Sequence, residues 1–202
     1  MKIRIACACA LVVLGGCVST QFAAVVPGEV AVENLTVTAS DGAWNKAPDT
    51  MTGSLVDGSE MWTRDGLLLD RLILIPGVAN GGTLFESASE ALVYPEYKSG
   101  MLPNEIVELT QSSLAKLTGN EAVVETSGLR PHRLGEQRAI MFDMTVTTSE
   151  GPRLQGRALA FINNDELYLI TYIATAIFYF DKHWDEALAI MESANVSAVA
   201  ES

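Results

Sequence analysis

Three thiols, two imidazoles and one run of guanidinium groups are the side chains with the most chemistry to offer. The cysteines are Cys7, Cys9 and Cys17, and the histidines are His132 and His183. A thiolate is the good nucleophile among side chains, and Cys17 follows Leu14-Gly15-Gly16, whose small residues let an extended backbone enter a peptidase site. The histidines lack company: there is no H-E-x-x-H, no paired-ligand spacing and no G-x-S-x-G. A hydrolytic site would require a serine and His132 or His183 to converge within hydrogen-bond reach. Asn163-Asn164-Asp165-Glu166 offers oxygen ligands but not the calcium-loop spacing, and reads as a hairpin turn. Gly77 to Gly82 lacks the Lys-Ser/Thr of a phosphate loop and reads as a plain loop. No metal and no organic cofactor is expected.

Arg130-Pro131-His132-Arg133, with Arg138 nearby, is the one basic cluster in an acidic chain. Guanidinium groups pair bidentately with carboxylates and phosphates, so Arg130, His132, Arg133 and Arg138 form a candidate contact for an anionic ligand or acidic partner. The alternative is a solvated loop whose charges pair with the surrounding acidic surface. Trp44 and Trp62 are candidate groove aromatics, because tryptophan is frequent at binding hot spots; the alternative is core. In His183-Trp184 the tryptophan is expected inside, with His183 decorating the first turn of a helix.

The amino-terminal stretch carries the address. Lys2 and Arg4 give a positive start, and Ile5 to Leu14 follow as an uncharged, largely apolar run. A run of about ten residues suits a secretory segment and is half the length of about twenty that a spanning helix needs. Leu14-Gly15-Gly16-Cys17 resembles the lipobox of bacterial lipoproteins. That resemblance implies cleavage between Gly16 and Cys17, a diacylglyceryl group on the Cys17 sulfur and acylation of the new amine, so the only additions expected are covalent lipids. Two or more buried chains give stable anchoring. Val18 and Ser19, with no Asp after the cysteine, imply by the same likeness export to the periplasmic face of the outer membrane. Cys7 and Cys9 would leave with the leader, so no disulfide or thiolate metal site would remain.

Residues 1–16 are thus expected to be a removed signal peptide and 17–28 a lipidated tether. Residues 29–196 would form one α+β domain, and 197–202 a frayed tail. The net charge of −12 becomes −14 once Lys2 and Arg4 are gone. Such a charge disfavours nucleic acid as a partner.

The elements that must position these residues follow from periodicity. Val30 to Thr38 alternates and is β-branched, which predicts one strand. Arg64-Asp65-Gly66 between apolar runs predicts a hairpin, with Pro76-Gly77 stopping its second strand. Pro103 to Thr118 predicts a helix, with Pro103 in the first turn and Gly119 at the exit. Glu121 to Thr126 predicts a strand. Ile140 to Val146, Arg153 to Ile162 and Leu167 to Ala174 predict a three-strand meander, with the last strand central. Asp181 to Ala194 predicts a closing helix capped by Asp181. The fold class is α+β, an antiparallel sheet with two main helices packed on it.

Leu167-Tyr168-Leu169-Ile170-Thr171-Tyr172, then Phe180-Asp181 and the helix ending Ser193-Ala194-Asn195-Val196, look similar to the PsbP-type α/β/α sandwich. The resemblance covers the last hundred residues and implies a non-catalytic scaffold or binding domain. Trp44-Asn45, Trp62-Thr63-Arg64-Asp65-Gly66 and Leu69-Asp70 resemble segments of uncharacterised proteobacterial lipoproteins. The expectation is a non-enzymatic lipoprotein of the cell envelope that binds another envelope protein or a cell-wall component. The alternative is a small-ligand-binding or transport-accessory lipoprotein.

Overall fold

The computed structural model describes residues 21–87 and 92–196. The expected signal segment, Gly16, Cys17 and the tail 197–202 lie outside these residues. In chain order the elements are β1 (Ala23–Ala24), β2 (Gly28–Val32), β3 (Leu35–Ala39), β4 (Asn45–Lys46), α1 (Asp49–Thr52), β5 (Glu60–Thr63), β6 (Asp70–Val78) and α2 (Pro103–Leu117). They continue with β7 (Ala122–Leu134), β8 (Gln137–Thr148), β9 (Leu154–Asn163), β10 (Glu166–Thr175), α3 (Tyr179–Glu192) and β11 (Asn195–Val196). The main antiparallel sheet has eight strands in the order β1-β4-β5-β6-β10-β9-β8-β7, and a second has the order β11-β3-β2.

Strand β10 lies between β6 and β9, as its apolar run predicts. Side chains alternate across a strand, and here both alternating sets are buried. Tyr168, Ile170, Tyr172 and Ala174 enter the core shared with Phe180, Ala187 and Ile190 of α3. Leu167, Leu169 and Ile173 enter the core shared with Ile106, Leu109 and Leu114 of α2. A strand covered on both faces reads as a continuous apolar run rather than an alternation, which is why β10 is the most apolar segment of the domain. The two helices therefore pack on opposite faces of one sheet. The small sheet joins the α3 side through Val32, Leu35 and Val37.

Helix α2 matches its predicted bounds closely. Pro103 has no N–H to orphan in the first turn, and Glu105 Oε2 accepts the Leu102 N–H at 2.6 Å. At the exit Gly119 sits at φ +64°, with Gly119 N–H on Lys116 O and Asn120 N–H on Ala115 O, both at 2.9 Å. That is the two-bond glycine stop of a helix.

Four expectations are corrected. Val30 to Thr38 is two strands, because Glu33 (φ +52°) and Asn34 form a turn and Val32 pairs with Leu35. The switch from even to odd apolar positions across that turn was the missed signal. Pro76-Gly77 does not stop β6. Leu167 pairs with Val78 and Leu169 with Ile75, so the extra residue is taken up in a bulge. Gly77 sits there at φ +54°, and a Cβ would come within 2.7 Å of Glu166 Oε2. The last helix begins at Tyr179, so Asp181 lies in its first turn, where its charge suits the helix dipole, and not at the cap. Finally, the chain joins the fold before residue 28: Ala23–Ala24 pairs with β4, and Val25 is buried.

Candidate functional site

The basic cluster lies on the β7–β8 hairpin at one edge of the main sheet, in strand and not in a loop. A bulge takes up Gly128, and Pro131 pairs in regular register with Ile140. Ser127 pairs with Asp143 and Arg130 with Met141, so β7 carries one extra residue. Gly128 sits in the bulge at φ +62°, and a Cβ there would meet Asp143 Oδ2 at 2.5 Å. Glycine alone satisfies both demands.

The extra residue switches which face each side chain takes. Before the bulge Ala122 and Val124 join the α2 core; after it Leu134 joins the α3 core. Directly paired residues of antiparallel strands share a face. Arg130 (opposite Met141) and His132 (opposite Ala139) therefore face α3, whereas Pro131 (opposite Ile140) and Arg133 (opposite Arg138) face the α2 side. The register sends the four side chains to two faces, although all four residues border one groove.

The α3-facing half is occupied internally. Arg130 Nη1 donates to Asp143 Oδ2 at 3.0 Å and to Gly128 O at 2.7 Å. Arg157 Nε donates to Asp143 Oδ1 at 2.5 Å, and its guanidinium lies 4.1 Å from the Trp184 ring centroid. Burial pushes the Asp143 carboxyl up, but the hydrogen bonds from Arg157 and Arg130 outweigh it and hold the group below the usual carboxylate range. His132 Nε2 lies 3.6 Å from Glu192 Oε1 of α3.

The other half is free. Arg130, His132, Arg133 and Arg138 all border, with Pro103 and Ile140, an open groove of about 990 Å³ between the start of α2 and the hairpin, and of the four side chains those of Arg133 and Arg138 are the two without an ion-pair partner among the described residues. Arg133 and Arg138 are exposed and directly opposite in register. Among the described residues neither guanidinium has a hydrogen-bond or ion-pair partner; the nearest acidic residue in sequence is Glu136, in the exposed turn between them. Like charges placed opposite one another cost stability, and an anion between them would remove that cost.

A second cluster clamps the β5–β6 loop to α3. Asp70, 1 % exposed, accepts Thr63 Oγ1 at 3.0 Å, Arg64 N–H at 2.9 Å and Asp65 N–H at 2.8 Å. That turn aims Asp65 at α3, where its Oδ2 lies 2.7 Å from Lys182 Nζ and 2.5 Å from His183 Nε2. The bonds from Lys182 and His183 hold the Asp65 carboxyl below the usual range. Arg64 pairs with Asp41 at 3.2 Å and also with Glu186. The expected orientation is reversed: His183 is buried and Trp184 half-buried, because Trp184 stacks on Phe180 under Arg157 while Asp65 draws His183 inward. Among the described residues neither histidine hydrogen-bonds a serine, and no group of three or more His, Cys, Asp or Glu is placed to hold a metal.

Trp44 and Trp62 are both 0 % exposed core residues, and Trp62 lies behind the wall of an open pocket beside β1 and β2. Trp62 Nε1 donates to Glu60 Oε2 at 2.6 Å, and Trp44 meets Tyr172 edge-on. Sequence reasoning missed Arg71, which shares an inward face with Ile73 and Ile75. A cation on the buried alternate of an apolar strand was the available signal.

No family model matches the chain, and no curated protein matches it. Solved structures do. The solution structure of cyanobacterial PsbP (CyanoP) from Synechocystis sp. PCC 6803 aligns with a TM-score of 0.58 and 10% identity, over 92% of this chain and 98% of that one. A crystal structure from Bacteroides thetaiotaomicron VPI-5482 aligns at 0.50 and 9% identity, over 87% of this chain and 51% of that one. The Saccharomyces cerevisiae Ran-binding protein Mog1p aligns at 0.43 and 11% identity, over 88% and 96%. The fold is similar to that of CyanoP: mainly antiparallel sheet, with helices. At such identities the likeness concerns fold alone.

Proposed function

We propose that the protein is a non-enzymatic, lipid-anchored binding module of the cell envelope, built as a PsbP-type sandwich. Lipids on Cys17 would hold it at the periplasmic face of the outer membrane, and the Arg133–Arg138 groove would take an acidic segment of another envelope protein or a cell-wall component. What supports the anchor is Leu14-Gly15-Gly16-Cys17 after a short basic and apolar start. What supports the partner is one observation: two unpartnered arginines opposed in register beside an open groove, in a chain of net charge −12. Charge complementarity of this kind steers association and fixes register.

Two measurements test the two halves. Mass spectrometry of the mature N-terminus should find Cys17 first, carrying diacylglyceryl and acyl mass, and Cys17→Ser should abolish both processing and membrane partition. A mature chain starting elsewhere, or free of lipid, contradicts the anchor. For the groove, cross-linked membranes should yield a partner with the unaltered protein and at least tenfold less with Arg133→Glu/Arg138→Glu. Equal yield contradicts the groove. The second reading, a small-ligand-binding lipoprotein, is favoured by a separate cavity on the α2 side.

A further inference from the structure

Every arginine described above on the α3 side has a carboxylate: Arg64 has Asp41 and Glu186, while Arg130 and Arg157 share Asp143. Arg71 does not. It stands on β6 opposite Ile173, two residues before Ile73 on the face toward α2. Among the described residues it has no hydrogen-bond or ion-pair partner. Desolvation draws its guanidinium below the ordinary range, yet an arginine side chain stays charged in any protein. Arg71 is half-buried, and a charge partly withdrawn from water without a counter-ion is costly to keep.

What Arg71 faces is a largely enclosed cavity of about 200 Å³ between the sheet and the C-terminal half of α2. Its other walls are mainly aliphatic, including Met61, Ile73, Leu114, Val146 and Ile173. A cavity of about 150 Å³ lined by such side chains stays dry and takes up benzene-sized molecules. This one is slightly larger and has a cationic fork in its wall.

We propose that this cavity binds a small amphipathic carboxylate, with a medium-length alkyl chain among the aliphatic side chains and its carboxylate paired to the Arg71 fork. The inference rests on the small-ligand reading and not on the Arg133–Arg138 groove, which lies at the other end of α2. The carboxylate is favoured over a neutral head because the planar guanidinium donates two parallel N–H···O bonds to its two oxygens. An alkyl chain is favoured over a polar body because the walls offer few hydrogen-bonding groups.

The test is calorimetric titration of the folded protein with octanoate, octanol and octylamine, alongside a thermal melt with each. Octanoate should bind saturably at one site and raise Tm, with octanol at least tenfold weaker and octylamine inert. Arg71→Met should weaken octanoate at least tenfold while bringing its affinity level with that of octanol. Val146→Phe, which leaves Arg71 in place and fills the cavity, should abolish octanoate binding; circular dichroism verifies the fold of each variant. Absence of saturation with octanoate, equal binding of octanol to the unaltered protein, or unchanged affinity in Val146→Phe would each overturn the proposal. None of these results bears on cross-linking at the groove, so the two readings fail separately.

Discussion

The two faces of the eight-stranded sheet are made by the same strands and differ in how they are filled. Toward α3 the core is aromatic: Trp44, Trp62, Phe161, Tyr168, Tyr172 and Phe180 are all buried, with Phe161 and Tyr168 stacked at 5.0 Å. Its charges are consumed in pairs with Asp41, Asp65, Asp143 and Glu186. Toward α2 the core is mostly aliphatic, encloses a cavity, and leaves Arg71 without a partner among the described residues. The same contrast splits the β7–β8 hairpin, where Arg130 is paired and Arg133 and Arg138 are not. Charge is neutralised inside the molecule where packing is tight and left available where space remains. The α3 side reads as the structural face and the α2 side as the face with room for something else.

The strongest way to break that contrast is to remove bulk from each face. Trp62→Ala should cost about 3–5 kcal/mol, since a fully buried tryptophan leaves a cavity. Leu117→Ala, beside a space that already exists, should cost less than half as much in urea unfolding. Equal losses would show that the α2 face is packed as tightly as the other.

Acid sharpens the comparison next. Asp65 and Asp143 have folded pKa values below the ordinary carboxylate. A depressed value means a contribution to stability that is present above the unfolded pKa of about 3.9 and is lost as pH falls through the folded value. Unfolding measured from pH 6 to pH 2 should therefore weaken on the acid limb, and Asp143→Asn should flatten that limb by about 1 kcal/mol, the scale of a partly exposed pair. An identical limb in the variant would remove Asp143 from the account.

The smallest effect separates the two halves of the hairpin. Arg133→Ser should stabilise by a few tenths of a kcal/mol at low salt by relieving its opposition to Arg138, and the gain should vanish at high salt. Arg130→Ser should destabilise instead. Loss of stability in Arg133→Ser would mean that its guanidinium is already paired.

Much of the fold was legible because local signals agreed. The apolar run of β10 announced a central strand, and Pro103 and Gly119 bracketed α2. The misses share a cause. At Pro76-Gly77 and at Gly128, residues that end strands also make bulges, and only the pairing partner decides which. The basic cluster was legible in composition but not in arrangement: Arg130 and Arg133 are three apart, so strand alternation alone sends them to opposite faces, and the bulge at Gly128 decides which face each takes. Trp44 and Trp62 resemble groove residues until Tyr172 and Leu72 are known to lie beside them. Asp65 and His183, 118 positions apart, meet only in the folded chain.

The claim that the α2 side of the hairpin is the partner face is tested most directly by photocrosslinking of the full-length protein in cells. A photoreactive residue placed in turn at Leu129, Pro131 and Glu192, with every arginine kept, should give a discrete partner adduct from the first two positions, which border the groove, and none from the third, which lies on α3. Adducts from Glu192 alone, or from all three positions equally, would contradict the division between the faces.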